Sequence, residues 1–412
     1  MLPRHKPAII HRKPSSELLS ILRRTFIMLK LRCRAVFCLA ALLTSSASLA
    51  AFAGTFKVLH AFKGGSDGTN PAAPLTWVGG KLYATTLYGG TGGYGTAYQV
   101  GITGREKPLY SFNDLANGGD PFSTLTELNG VFYGTTSSGG AHSAGTIFSI
   151  TADGTETVLY SFTGPSDGRF PLSGLVAMDG VLYGATAAGG DASCNGGSGC
   201  GVVFSITPAG TFSTVYRLSA ASGWYVSANL LAVAGKLYGT APSGGTHGAG
   251  TVFSVTPKGK LKVLYSFTGG ADGGAPVGSL TRVKDVLYGT AQAGGAGQLG
   301  VAFSLAVSSG TQTVLHSFGS GSDGAEPASS LTFLAGKFYG TTNAGGAYGG
   351  GTIFSITASG HEVVERSLNG ADGISPGAGL VAHKGVLYGD TYVGGDESCD
   401  SYGCGTVFSY VP

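Results

Sequence analysis

Charge is scarce in this chain. Lys, Arg, Asp and Glu together make up 11% of it, less than half of ordinary usage (~25%). What basic excess exists sits at one end. Nine of the 25 Lys/Arg and one of the 22 acids fall within residues 1–53, so the formal +3 of the whole chain becomes −5 for residues 54–412. A body of that sign carries no basic stripe for nucleic acid. After Gly54 no segment has helical periodicity long enough to compete with strands, and none reaches the length of a membrane-spanning helix. Cysteine is sparse as well: of six, Cys33 and Cys38 lie in the basic N-terminal part, leaving the close pairs Cys194/Cys200 and Cys399/Cys404.

That N-terminal part reads as an export region. A basic stretch from Met1 to Arg34 is followed by the apolar run AVFCLAALL and the small-residue stretch TSSASLAAFAG, the order of a secretory signal and its cleavage site. Cleavage is expected after Ala50 or Ala53, and Met28 offers a more ordinary start than Met1. A retained anchor is the alternative, against which the apolar run is short. The expected mature protein is a single domain, 54–412, exported to the periplasm or the exterior and free of the membrane once the signal is removed. In that compartment an even set of four cysteines predicts two disulfides, Cys194–Cys200 and Cys399–Cys404. A metal knuckle would need further ligands near each pair, and none is near in sequence.

What the chain has in abundance is glycine, 73 residues, and a repeat. Tyr83, Tyr133, Tyr183, Tyr238, Tyr288, Tyr339 and Tyr388 each follow Leu or Phe in near-copies of one string, about 50 residues apart. In the third copy SGLVAM, the pair Asp179-Gly180, VLYGAT, a Gly-rich loop, VVFSIT, a short turn and FSTVYRL follow in order. Asp-Gly between apolar runs is a two-residue hairpin signal, and Asn129-Gly130 repeats it in the second copy. Four strands per unit of this length predict a propeller blade, with strands a to d from the axis outward. The mature chain starts on TFKVLHAF, a fourth strand, and ends on TVFSYV, a third. The fold expected is all-β, a seven-bladed propeller closed by the N-terminal strand completing the last blade, with a β-solenoid as the alternative.

The recurring LYGTT-x2-GG-x3-G-GT-[IV]FS-[IV]T, with LYSF and DG-x2-P between copies, resembles the GloVer (Gloeo-Verruco) tandem-repeat proteins of bacteria, over essentially all of the chain after the signal. The resemblance implies an exported, propeller-like repeat protein and leaves its function open. Such proteins often carry a C-terminal sorting signal. This chain stops at Val411-Pro412 without an apolar tail, so release or soluble residence is expected. A weaker likeness to kelch repeats rests on the Gly-Gly after the second strand.

The b–c and d–a loops should share one face, and that face holds the irregular sequence. The d–a loops present Asp67, Asp120, Asp167, Asp272, Asp323 and Asp372, a ring expected near the channel mouth. Such a ring suits Ca²⁺ or a cationic or hydroxyl-rich ligand. Asp before Gly is also ordinary turn chemistry, and one Asp per loop falls short of what Ca²⁺ takes from one site. No metal or other cofactor is assigned. The fourth unit replaces Asp-Gly-x-x-Pro by a segment holding Trp224 and Tyr225, with Tyr88, Tyr94, Tyr348 and Tyr402 in other loops. Aromatic faces beside acids suit sugar rings, whereas an aberrant blade would use the same rings as filling. His142 and His247 occupy one b–c position two blades apart and read as drifted surface residues.

Catalytic strings carry little weight here. Gly64–Gly68 and Gly164–Gly168 fit G-x-S-x-G, but a nucleophile elbow needs a strand-turn-helix and a His partner. The near-equivalent Asp residues are a poor start for distinct acid and base roles. Asp390, standing where other units have Thr or Ala, is the one asymmetric acid in a strand. The function expected is non-catalytic binding of an envelope or environmental ligand, carbohydrate being the candidate, by a monomer with Trp224, Tyr225 and the six Asp in the site. A structural or adhesive surface protein is the alternative, and a propeller hydrolase or lyase a third.

Overall fold

The structure, a computed structural model, describes residues 54–412 except 114, 320, 397, 398, 400 and 401. The signal and the Met28 start therefore lie outside the described residues. Seven antiparallel sheets follow one another, and the described residues contain no α-helix. Blade 3 is typical: a Val176–Met178, b Val181–Ala185, c Val202–Ile206 and d Phe212–Arg217, in that spatial order. Blade 7 takes strand d from the other end of the chain. Thr55–Ala61 pairs with Thr406–Val411, so the expected closure is present. The hairpin signals hold as well: Asn129 and Gly130 have φ of 56° and 81°, Asp179 and Gly180 of 53° and 77°, the left-handed pair that a two-residue turn demands.

The Leu-Tyr step explains the ring. Neighbours in a strand face opposite ways, so Leu182 points to blade 2 and Tyr183 to blade 4. Leu182 is buried with Tyr133 and Phe204, while Tyr183 is buried with Leu237 and Phe253. Seven apolar clusters repeat this at seven seams, including the one that sets Tyr388 of blade 7 against Leu82 and Tyr98 of blade 1. The core thus lies between blades, and strands b and c, covered on both faces, read as nearly continuous apolar runs.

Polar stitches hold the inner edge. The Thr76 hydroxyl donates to the Leu125 carbonyl at 2.5 Å, and Thr126 to Leu175 and Thr332 to Leu380 do likewise. A second set runs from the Thr two residues after the Tyr of strand b to carbonyls of the next blade. Thr85 bonds Pro121 O at 2.7 Å, Thr290 bonds Ser329 O at 2.8 Å and Thr341 bonds Pro376 O at 2.7 Å.

Strand d carries a bulge opposite strand c in every blade, as between Val58 and His60 in blade 7 and between Val158 and Tyr160 in blade 2. A bulge re-aims the residue that follows it. Here that residue is His60, Tyr110, Tyr160, Tyr216, Tyr265, His316 or Arg366.

Candidate functional site

The re-aimed side chain meets the turn acid. Tyr160 donates to Asp167 at 2.7 Å and Tyr265 to Asp272 at 2.9 Å. Arg366 pairs with Asp372 at 2.7 Å, and His60 and His316 lie 3.1 and 3.0 Å from Asp67 and Asp323. The same acids accept turn N–H groups, Thr163 and Gly164 for Asp167 and Lys63 for Asp67. Asp167 and Asp372 are buried. This corrects the expected ring near the channel mouth: these five carboxylates fold back onto strand d, farthest from the axis, because the bulge brings a partner to them there.

Asp120 does not belong to that set. Its loop places Asn117 at the acid position, with the Asn117 side chain donating to the Tyr110 hydroxyl at 3.4 Å. Asp120 falls three residues later, directly before Pro121, in the left-handed region at φ 53°. Its carboxylate accepts from the Ser138 hydroxyl at 2.8 Å. Phe170, Tyr225, Glu326 and Ser375 hold the equivalent position with φ between 54° and 67°.

Trp224 and Tyr225 part company. Trp224 packs against the apolar cluster between blades 3 and 4, as the filling reading holds, whereas Tyr225 is exposed and lines a cavity. That cavity, about 530 Å³, is lined by d–a loops of all seven blades and by the b–c loops of blades 5, 6 and 7. Phe122, Leu172, Tyr225 and Tyr392 supply apolar faces, while Asn229, Gln292 and Asn343 supply amides. Among the described residues no Asp, Glu, Lys, Arg or His lines it. Asn229 crosses between blades: its Oδ1 accepts from Gly174 N–H at 2.6 Å and its Nδ2 donates to Thr124 at 2.8 Å. Apart from Tyr225, these positions escaped sequence reasoning: Phe122 and Leu172 read as ordinary apolar residues after a loop Pro, and Asn229, Gln292, Asn343 and Tyr392 as single uncharged residues outside any repeated motif.

The other aromatics and acids have plain places. Tyr348 and Tyr402 are exposed on b–c loops, Tyr88 is exposed at the end of the blade 1 strand Lys81–Tyr88, and Tyr94 packs at the seam of blades 1 and 2. His142 and His247 are exposed. Asp390 is 1% exposed, with neither carboxylate oxygen hydrogen-bonded. Burial pushes its carboxyl well above the usual range, and it is closed to any substrate in solution. Both disulfides are present, Cys194–Cys200 and Cys399–Cys404, with Cα separations of 4.9 and 5.8 Å.

Two seams add a third titratable group. Glu106, the first residue of strand d in blade 1, joins His60 and Asp67, and Glu362 in blade 6 joins His316 and Asp323. Within each trio the ligating atoms lie within 4.8 Å of one another. Burial and the nearby Asp67 carboxylate push Glu106 up to about 8. Burial, with Asp323 and Glu365, pushes Glu362 up to about 7. Burial opposes the charge of Asp67, but hydrogen bonds from His60 and the Lys63 N–H hold it below the usual carboxylate range.

Fold and cavity together define a closed seven-bladed propeller with a neutral axial pocket on its b–c/d–a face. The chain belongs to the Gloeobacter/Verrucomicrobia repeat family, which matches residues 47–197 and 192–408. Among curated proteins none matches the chain. Of solved structures, the computationally designed protein Ika8 is similar, with 13% identity and TM-score 0.50 over 86% of this chain and 100% of its own. The extracellular domain of a one-component system from B. thetaiotaomicron has 9% identity and TM-score 0.54, over 87% of this chain and 40% of that one. At those identities the likeness concerns fold alone. The two disulfides suggest an exported protein, since such bonds form and persist in oxidising compartments. Among the described residues no helix is long and apolar enough to cross a membrane.

Proposed function

We propose that the chain is an exported, non-catalytic binding propeller, resident in the periplasm or outside the cell, whose axial cavity takes a small uncharged, hydroxyl-rich ligand, a carbohydrate of the envelope or environment. One observation carries this reading: a cavity of about 530 Å³ whose lining pairs Tyr225, Phe122 and Tyr392 with the amides of Gln292 and Asn343 and, among the described residues, holds no charged group. Its size lies within the usual span of ligand sites, roughly 300–1,000 Å³. Aromatic faces stack on sugar C–H groups while amides exchange hydrogen bonds with hydroxyls. A neutral lining offers no carboxylate pair for glycoside hydrolysis. The net charge of −5 over residues 54–412 argues against nucleic acid as partner, and the protein acts as a monomer.

The test is titration of the purified chain with neutral oligosaccharides and peptidoglycan fragments, with Ca²⁺ and with chelator. Saturable binding that Tyr225→Ala weakens at least tenfold, and Trp224→Phe leaves nearly unchanged, is expected. Binding untouched by Tyr225→Ala would remove the cavity from the account. No binding at all by folded protein would leave the structural or adhesive role.

A further inference from the structure

Every seam repeats three positions: the residue after the strand d bulge, the turn residue six or seven further on, and the first residue of strand d in the next blade. Where the first is Tyr, the third is uncharged or the turn is. Tyr160 bonds Asp167 and stacks on Phe212 at 4.0 Å. Tyr265 bonds Asp272, and the Gln312 amide donates to the Asp272 carbonyl at 3.2 Å. Tyr216 precedes Ser222 and Leu261, and Tyr110 precedes Asn117 and Glu156. Arg366 pairs with Asp372 and lies 4.3 Å from the centre of the Phe56 ring. Asp and Glu face each other at two seams, and both times the first residue is His.

We infer that His60–Asp67–Glu106 and His316–Asp323–Glu362 are two equivalent sites for a divalent first-row transition cation of the Zn²⁺ type, each strapping one blade's outer strand to the next. Imidazole nitrogen and carboxylate oxygen are both Zn²⁺ donors, and a site with three protein ligands leaves the fourth position to water. Ca²⁺ asks for six to eight oxygens and is not served by an imidazole. The His–Asp separations of 3.1 and 3.0 Å are close to the ~3.3 Å between two donors on one tetrahedral Zn²⁺ with bonds of about 2.0–2.1 Å. The Asp is held in advance: Lys63 N–H bonds Asp67 Oδ2 at 2.8 Å, and Gly319 N–H bonds Asp323 Oδ2 at 2.6 Å, the outer support that metal ligands need. The third donor is in reserve, since Oε1 of Glu106 and of Glu362 is buried and has no hydrogen-bond partner. His60 and His316 also stand alike on Phe62 and Phe318, each edge-on at 4.8 Å. The first site sits at the ring closure, joining the strand Thr55–Ala61 to blade 1.

The experiment is Zn²⁺ titration by calorimetry, with bound metal counted after desalting, on the chelator-stripped full chain and its variants. Two Zn²⁺ per chain and a raised Tm are expected. His60→Tyr and His316→Tyr install the residue that serves blades 2 and 4, so folding is kept while each removes one Zn²⁺ and the pair removes both. Glu106→Gln keeps the His–Asp contact and weakens only the first site, by tenfold or more. Two Zn²⁺ retained by the double His variant, or none bound by the parent chain, overturns the assignment.

Discussion

Replacing Asp390 by Thr should stabilise the protein, by an amount that grows with pH. Five blades have Thr at this position, and its hydroxyl bonds a carbonyl of the following blade, as in Thr85 to Pro121 O and Thr290 to Ser329 O. Blade 3 has Ala185, so the stitch is dispensable once. Asp390 keeps the shape and loses the stitch: both its oxygens are buried and unpaired. The Tyr98 phenol, itself pushed up by burial and by the charges of Asp390, Glu106 and Asp67, offers no cation in return.

The magnitude follows from linkage. An Asp whose carboxyl burial pushes well above its ordinary 3.8 keeps its proton in the fold over a range of pH in which the unfolded chain has shed it. Stability is then whole below pH 3.8 and falls by about 1.36 kcal/mol per unit above it, until the folded pKa is reached. The gap between the two proteins therefore widens across that interval by about 1.36 kcal/mol per unit of pH. Asp390→Thr removes that slope and restores a hydrogen bond contributing about 1 kcal/mol. Glu106 and Glu362 titrate in both proteins and largely cancel in the difference. Urea unfolding at pH 4, 5.5, 7 and 8 is the assay. Trp77 makes a local reporter, stacked on His383 of blade 7 at 4.1 Å across this seam. A gap between the two proteins that stays flat from pH 4 to 8 would refute the reasoning.

Two further substitutions test the packing. At Gly239 a Cβ would sit 2.6 Å from Phe253 Cζ and 2.8 Å from Leu230 Cδ2, so Gly239→Ala should destabilise by about 1–3 kcal/mol through overpacking, read as a lower urea midpoint with unchanged slope. Asn229→Ala leaves the Gly174 N–H and the Thr124 hydroxyl without their partner; a loss of about 1–3 kcal/mol should appear in the same assay, together with altered affinity for whatever the axial cavity binds.

The architecture was legible because it rests on patterns that many residues share. Leu182 and Tyr183 need opposite neighbours, Asp179-Gly180 needs a tight turn, and both requirements recur around the ring. The radial place of the turn acids was hidden. It depends on one extra residue in strand d, Leu59 or Leu159, which nothing in an apolar run marks as a bulge. Asp120 misled for a related reason: Asn117 had taken the acid position, and a second acid stood where other loops hold Asn70, Phe170 or Tyr225. The trios were hidden by distance along the chain, Glu106 lying in the blade after His60. Aligning His60 and His316 with the Tyr of LYSF, then asking what begins the next strand d, would have found both.

Near-identical blades make the molecule its own control. Each position has a default that serves packing at several seams, so a departure must be explained by what lies around it. At Asp390 the departure brings no hydrogen-bond partner, and the pH-dependent gap to Asp390→Thr tests it as a defect the other seams absorb. At His60 and His316 the departure is accompanied, in both places, by an acid on the neighbouring blade that elsewhere never faces a turn Asp. Drift would change one residue at one seam. The same three residues at two seams are better explained by one requirement met twice, and the count of bound Zn²⁺ in the two His→Tyr variants separates those accounts.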